Sequence, residues 1–493
     1  MRRGQDSPAD KSLKRPGREP RHERKGISAH GPTVHISGFG QQRDQVGHSL
    51  NLSLRGVFVL YDYPISGRRG FWPVMKNFIG FEEALELTIS SVPTAGTESL
   101  TLDRLTGKIS SEDVVSRVDC PSVDSSLKDG YAVVSSNVKG ASKDNLIPLK
   151  VTGQVTAGIS SKLVISDGQA IEITTGAPIP KGADAVLSRE FCHRRDDEIY
   201  CFNTAEPGRN IFGKGADIRT GQTVASKDEV LSPALIGLLA SAGLKEIRVY
   251  KSPIVAVIAT GDEVLAPGAP LTEGKLYASN MVEICSWLSL FGLSFRTELA
   301  PDSGKEIVST IMKQLPHVDA FITSGGAWGS ERDLIIRVLE SLNWRGVYHR
   351  VRMGPGKAVG FGLLEKKPFF CLPGGPPSSE MAFLQLALPG LLAMEGYRHP
   401  PFLSVQARLT EAVSGDKDWT QFVHARIEGG KDAFVVHPIK QESRLQSMAR
   451  KNALIVIPEG CGGLPRGEVI KVQLLGPLSP RLGIHPLREK QDK

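Results

Sequence analysis

The chain has 493 residues, enough for three or more domains, and 40% of them are hydrophobic, enough for real cores. Its net charge of +7 sits at one end: residues 1–74 hold 13 Lys+Arg against 6 Asp+Glu, and the rest holds 47 of each. A neutral body gives no electrostatic case for nucleic acid, no apolar run reaches membrane-spanning length, and six scattered cysteines without zinc or redox spacing suit a reducing cytoplasm.

Residues 1–47 are polar, charged and rich in Gly, Pro and His, a composition that predicts disorder. A stray strand is read at 56–63. The segment 1–74 lacks a secretory pattern. It is expected to be a disordered basic tail translated from upstream sequence, with Met75 as the natural start; tail peptides in mass spectra of the native protein would defeat that expectation.

Residues 81–92 have helical apolar spacing, with Glu82 and Glu83 in the first turn. Pro121 and a Ser/Asp cluster predict a loop, and 130–134 a strand. Residues 146–225 read as short strands with frequent turns, a β-rich module. Ser232 and Pro233 cap a helix over 234–242, and Gly243 ends it.

From 252 to about 395, strand and helix alternate. Strands are read at 255–258, 294–298, 320–323, 346–350 and 369–372, and helices at 280–291, 303–314, 333–342 and 379–392. Such alternation means a mostly parallel, doubly wound sheet with helices on both faces. Pro400 and Pro401 mark a linker, and 402–476 read as a small all-β barrel or sandwich. The fold class is thus multidomain α/β plus β. The expected divisions are a tail (1–74), an N-terminal helix with a β-rich region (75–250), an α/β domain (251–397), a C-terminal β domain (400–476) and a second tail (477–493).

Three predicted strand ends carry Gly beside Ser, Thr or acids. The first is Thr323-Ser324-Gly325-Gly326, followed by Glu331 and Asp333 at a helix start. The others are Ala259-Thr260-Gly261-Asp262-Glu263 and Pro373-Gly374-Gly375-Pro376-Pro377-Ser378-Ser379. Ligands collect at the carboxyl ends of strands in open α/β sheets, and helix-start N–H groups favour anions there. Each end taken singly is an ordinary βα turn; three in one segment favour a binding edge.

Carboxylates from separate strand ends, Asp262 or Glu263 with Glu331 and Asp333, suit Mg²⁺, which takes oxygen ligands and bridges phosphates. Asp333 as a plain helix cap is the alternative. Arg350, Arg352 and Lys357 stand in a glycine-rich segment suited to an oxyanion, or to a solvated hairpin. Asp129 is a loop carboxylate, either a ligand or a satisfied turn residue. Thr175 stands before a Gly-Ala-Pro turn. No Ser-His-Asp elbow, HExxH or GxxxxGK[ST] string occurs, so hydrolase, zinc-protease and ordinary nucleotide-hydrolase readings lose support.

The strings SSLKDGYAV, ITTGAPIPKGADAV, GADI, VAVIATGDEVL, YASN, ITSGG, GPGKAVGFG, CLPGGPPS and SMARKNALIVIPEG, in that order, resemble those of the molybdopterin molybdenumtransferase (MoeA) family, which includes the molybdenum-cofactor part of gephyrin. The likeness runs from about Phe78 to Leu475. It implies insertion of molybdate into adenylylated molybdopterin with release of AMP, assisted by Mg²⁺. It also implies a homodimer whose active site lies between the α/β domain of one subunit and the β-rich module of the other. Docking with the molybdopterin adenylyltransferase is a further expected partnership.

Carried over residue by residue, the resemblance gives Asp129, Asp333 and Lys357 catalytic roles. Thr175, Pro373, Pro376 and Ser378 become substrate-binding; to these the strand ends and the glycine-rich segment add Ser324, Gly325, Gly326 and Arg352, and the carboxylate pattern places Asp262, Glu331 and Asp333 at the metal.

The departures from the family pattern are Ala216 and Ala278 where acids are usual, Gly354 where a Lys is usual, and Trp328 where a Ser is usual. They keep two alternatives open: a pterin-binding carrier or scaffold with weakened catalysis, and a tungstate-preferring transferase.

Overall fold

The structure, a computed structural model, describes residues 75–159, 162–325, 334–398, 401–429, 433–440 and 443–475. The expected tails, the strand at 56–63 and the residues Gly326, Trp328, Glu331 and Asp333 fall outside them.

The chain opens with β1 (Lys76–Gly80) and α1 (Phe81–Ser91), then β2 (Thr97–Thr101). The β-rich module follows: β3 (Gly130–Val133), β4 (Ile147–Val155), β5 (Gln169–Ile173), β6 (Ala185–Ser188), β7 (Cys192–Arg195) and β8 (Glu198–Cys201). They form one sheet in the order β6-β3-β5-β4-β8-β7. Its side chains alternate between two cores: Tyr131 and Val133 enter one, Ala132 the other. Gly130 is required where β3 meets β6, since a Cβ there would lie 2.1 Å from the Leu187 carbonyl oxygen. Cys192 and Cys201 face each other across β7 and β8, their sulfurs 3.7 Å apart. Their linear spacing carries no hint of this.

α2 (Pro233–Ser241) starts as its sequence dictates, with the Ser232 hydroxyl accepting from Leu235 N and proline at the first helical position. β9 (Glu246–Tyr250) then pairs antiparallel with β2, closing the region around the module.

The α/β layer contains β10 (Ile254–Thr260), α3 (Ser279–Leu290), β11 (Ser294–Ala300), α4 (Gly304–Gln314), β12 (Ala320–Ser324), α5 (Leu334–Ser341), β13 (Arg345–Gly354), β14 (Gly360–Leu364), β15 (Lys367–Leu372), α6 (Pro376–Ala382) and α7 (Leu388–Met394). The strand order is β11-β10-β12-β15-β14-β13, with β1 beside β13. β14 runs antiparallel to both neighbours, and the other pairings are parallel.

The apolar runs in the sequence have a direct cause. Ala320 and Ile322 face a core shared with α1, α3 and α7, while Phe321 faces the core under α4 and α5. Strands buried on both faces have no polar side to show. β1 and α1 stand on this layer: Ile79, Phe81 and Ala84 enter its core.

The helix expected over 379–392 begins earlier, at Pro376, and passes through a π-helical turn, Phe383–Ala387, before α7. Pro376 and Pro377 fit the first turn because their missing N–H groups have no intrahelical partner there.

The C-terminal domain contains β16 (Ser404–Leu409), β17 (Thr420–Gly429), β18 (Phe434–Pro438), α8 (Arg444–Arg450), β19 (Ala453–Ile457) and β20 (Val469–Leu474). Its strands run β17-β18-β16-β20-β19, and β19 pairs back onto β17, so the sheet closes as a barrel. Among the described residues the strand ladder between this barrel and the α/β sheet has two pairs, Met353 with Thr420 and Gly354 with Gln421. Among the described residues no helix is long and apolar enough to cross a membrane.

Candidate functional site

The parallel strands β10, β12 and β15 end on one edge of the sheet, and their last residues touch. Gly325 N donates to the Leu372 carbonyl at 3.3 Å. Gly325 takes φ +109°, and a Cβ on it would lie 2.4 Å from the Thr260 carbonyl oxygen. Gly374 packs against the Gly325 Cα. Only a glycine at 325 lets these strand ends approach so closely.

Asn280, at the start of α3, fastens the edge: its amide donates to Ser324 Oγ at 3.1 Å and to the Gly374 carbonyl at 2.8 Å. Ser324 Oγ lies 3.3 Å from Ser379 Oγ in α6. Of the residues expected here, the structure gathers Ser324, Gly325, Pro373, Pro376 and Ser378 at this edge, where α6 begins. Asn280, in the YASN string, and Thr260 and Ser379, in the strand-end strings, meet them there. Among the described residues no hydrogen-bond partner reaches the buried Thr260 Oγ1 and Thr323 Oγ1.

Asp262 and Glu263 follow β10. Asp262 accepts from Asp302 N at 3.1 Å, and its carbonyl takes the Lys275 ammonium at 2.6 Å. Partial burial, then the charges of Glu263 and Asp262, raise the Asp302 carboxyl above its ordinary value. These acids do not amount to a magnesium site by themselves. Among the described residues no three His, Cys, Asp or Glu side chains are placed to hold a metal.

Arg352 and Lys357 lie where the α/β sheet meets the barrel. Lys357, at the tip of the β13–β14 hairpin, holds its ammonium 5.2 Å from the ring centres of both Phe78 and Trp419. Those rings meet edge to face at 5.5 Å. Among the described residues no carboxylate pairs with Lys357. Arg352 is already engaged, with Glu459 at 2.7 Å and the Phe78 carbonyl at 3.0 Å. Its fork locks the barrel to β13, while Lys357 and Arg350 are exposed.

Asp129 and Thr175 come together in the module. One carboxylate oxygen accepts from Thr175 N at 2.7 Å and Thr175 Oγ1 at 2.9 Å. The Thr175 N–H, then its hydroxyl, hold the Asp129 carboxyl below its ordinary value. A depressed carboxyl contributes above its unfolded value and loses that contribution as pH falls through the folded one. The stability advantage of the wild type over Asp129→Asn should therefore narrow below the ordinary value of 3.8. Melting curves of both proteins across acid pH check this; a constant difference would contradict it.

Family models match three stretches: the MoeA N-terminal region (domain I and II) over residues 79–243, a probable molybdopterin binding domain over 256–393, and the MoeA C-terminal region (domain IV) over 406–475. The chain is 29% identical over 405 residues to a molybdopterin molybdenumtransferase of Staphylococcus aureus (strain COL), covering 81% of this chain and 96% of that one. It is 29% identical over 377 residues to molybdopterin molybdenumtransferase 2 of Mycobacterium tuberculosis (strain CDC 1551 / Oshkosh), covering 75% and 93%. Among solved structures, a molybdopterin biosynthesis MoeA protein from Pyrococcus horikosii superimposes with a TM-score of 0.71 at 32% identity, over 80% of this chain and 99% of that one.

Proposed function

Because the chain belongs to the molybdopterin molybdenumtransferase (MoeA) family, we propose that it inserts molybdenum from molybdate into adenylylated molybdopterin and releases AMP. The observation that carries this reading is the meeting of three strand ends with Asn280 and the start of α6. Both substrates are anions. An edge of close-packed glycines lets backbone groups reach them, and Lys357 adds a positive charge at the barrel junction. The acids present among the described residues do not complete a Mg²⁺ site, so no step is assigned to that ion. Asp262, with Glu331 and Asp333, stays its proposed holder.

We further propose a homodimer in which the exposed Asp129–Thr175 pair of one copy completes the cleft of the other. Docking of the adenylylating enzyme, which would pass on the substrate directly, and a cytoplasmic setting are parts of the same reading.

The test is a purified chain supplied with adenylylated molybdopterin, molybdate and Mg²⁺, followed by AMP release and molybdenum content. Both should rise together; pterin binding without AMP release would overturn the transferase. Lys357→Ala is expected to lower the rate at sub-saturating molybdate about 10- to 100-fold, the size of a lost charged hydrogen bond, with an unchanged circular dichroism spectrum. An unchanged rate would remove Lys357 from oxyanion capture. Restoration of activity on mixing Asp129→Ala with Lys357→Ala chains checks the shared cleft.

A further inference from the structure

Between α3, α6 and α8 lies a cleft of about 720 Å³ that the strand-end site does not account for. Its walls are apolar, with Val282, Trp287 and Leu290 on one side and Leu445 and Met448 on the other. Glu283, Glu380 and Lys451 also line it. Glu380 is only 2% exposed. Its Oε1 takes the Lys451 ammonium at 2.5 Å. Among the described residues no fixed N–H or hydroxyl donor reaches its Oε2, and the Glu283 carboxyl lies within hydrogen-bond reach of Glu380.

The nearby groups do not balance the charge. His424 Nε2 stands 3.8 Å from Glu380 Oε2. Burial, then Lys451, push that imidazole toward its neutral form, outweighing the pull of Glu380. Two carboxyl groups therefore share one committed ammonium, and the charge of the cleft balances only while one of them holds a proton.

We infer that this cleft binds a small organic ammonium ion, its charged end between Glu283 and Glu380 and its apolar body against Trp287, Val282 and Met448. A bare metal ion fits less well: among the described residues no three His, Cys, Asp or Glu side chains are placed to hold one, and the carbon walls would go unused. The volume is that of a small-molecule site, and the Trp287 indole adds attraction for a cation.

Burial, then the charge of Glu380, push the Glu283 carboxyl up to about 8. At neutral pH it holds a proton, and the incoming ammonium displaces it. The ammonium and the neutral carboxyl become an ion pair plus one free proton, so charge is conserved.

The test is calorimetric titration of the full chain with 2-phenylethylammonium chloride, in phosphate and in Tris at pH 7 and pH 8. Saturable binding is expected, with nearly one proton released at pH 7 and about fivefold tighter affinity at pH 8. The uncharged 2-phenylethanol should not bind, and Glu283→Gln should weaken the ammonium at least about tenfold and abolish proton release. Equal binding of the alcohol, proton-free binding to the wild type, or no saturation by about 10 mM would overturn the assignment. The proton count needs only wild-type protein, so it decides even if the variant folds poorly.

Discussion

Lys451→Met should destabilise the chain by about 3–5 kcal/mol, the range for breaking a buried pair from one side. Lys451 and Glu380 keep only 4% and 1% of their side chains exposed, with nitrogen and oxygen 2.5 Å apart. Lys451 follows α8 and Glu380 lies in α6, so the pair ties the barrel domain to the α/β layer. Removing the ammonium strands a carboxylate beside Glu283. Removing both charges does not: Lys451→Met with Glu380→Met leaves an apolar contact, which is often neutral or better. The guanidinium midpoint of the double variant is therefore expected above that of the single variant. A single variant as stable as the wild type would mean the pair is solvated in solution.

Gly325→Ala should cut AMP release about 100-fold or more, the cost of displacing a reacting geometry by an ångström. The new methyl would sit 2.4 Å from the Thr260 carbonyl and 3.0 Å from its hydroxyl, at a φ of +109°. The nearer obstacle is backbone and cannot rotate away, so β12 must part from β10, taking the Ser324–Asn280 hydrogen bond with it. Gly374→Ala is the control. Its methyl meets only the Gly325 Cα, at 3.6 Å, and it should keep most of the rate. Equal losses in the two variants would mean the close approach of the strand ends is incidental to the chemistry.

Much of this edge was legible in the sequence because its signals are local. A run such as Ala320-Phe321-Ile322 followed by glycines announces a strand buried on both faces and a turn, and Ser232-Pro233 announces a helix start. What stayed hidden is long-range. β14 was lost inside a glycine-rich string, since Gly360 and Gly362 dilute the β signal. At Gly362 a side chain would run into the Arg345 carbonyl and the Trp344 ring. The attachment of β1 to β13, the Cys192–Cys201 juxtaposition and the Lys451–Glu380 pair depend on partners far along the chain, which no local window contains. Arg352 likewise meets Glu459, a partner its own string does not contain.

The barrel meets the α/β sheet through two residue pairs, Met353 with Thr420 and Gly354 with Gln421. So short a ladder has little torsional stiffness, and the barrel's angle is set by side chains around it: Phe81 against Phe422, Arg352 with Glu459, Lys451 with Glu380. Trp419 rides on the barrel beside Thr420, whereas Lys357 rides on the β13–β14 hairpin. A small swivel of one body past the other slides the indole across the ammonium, so the exposure of that cation follows the tilt of a neighbouring domain.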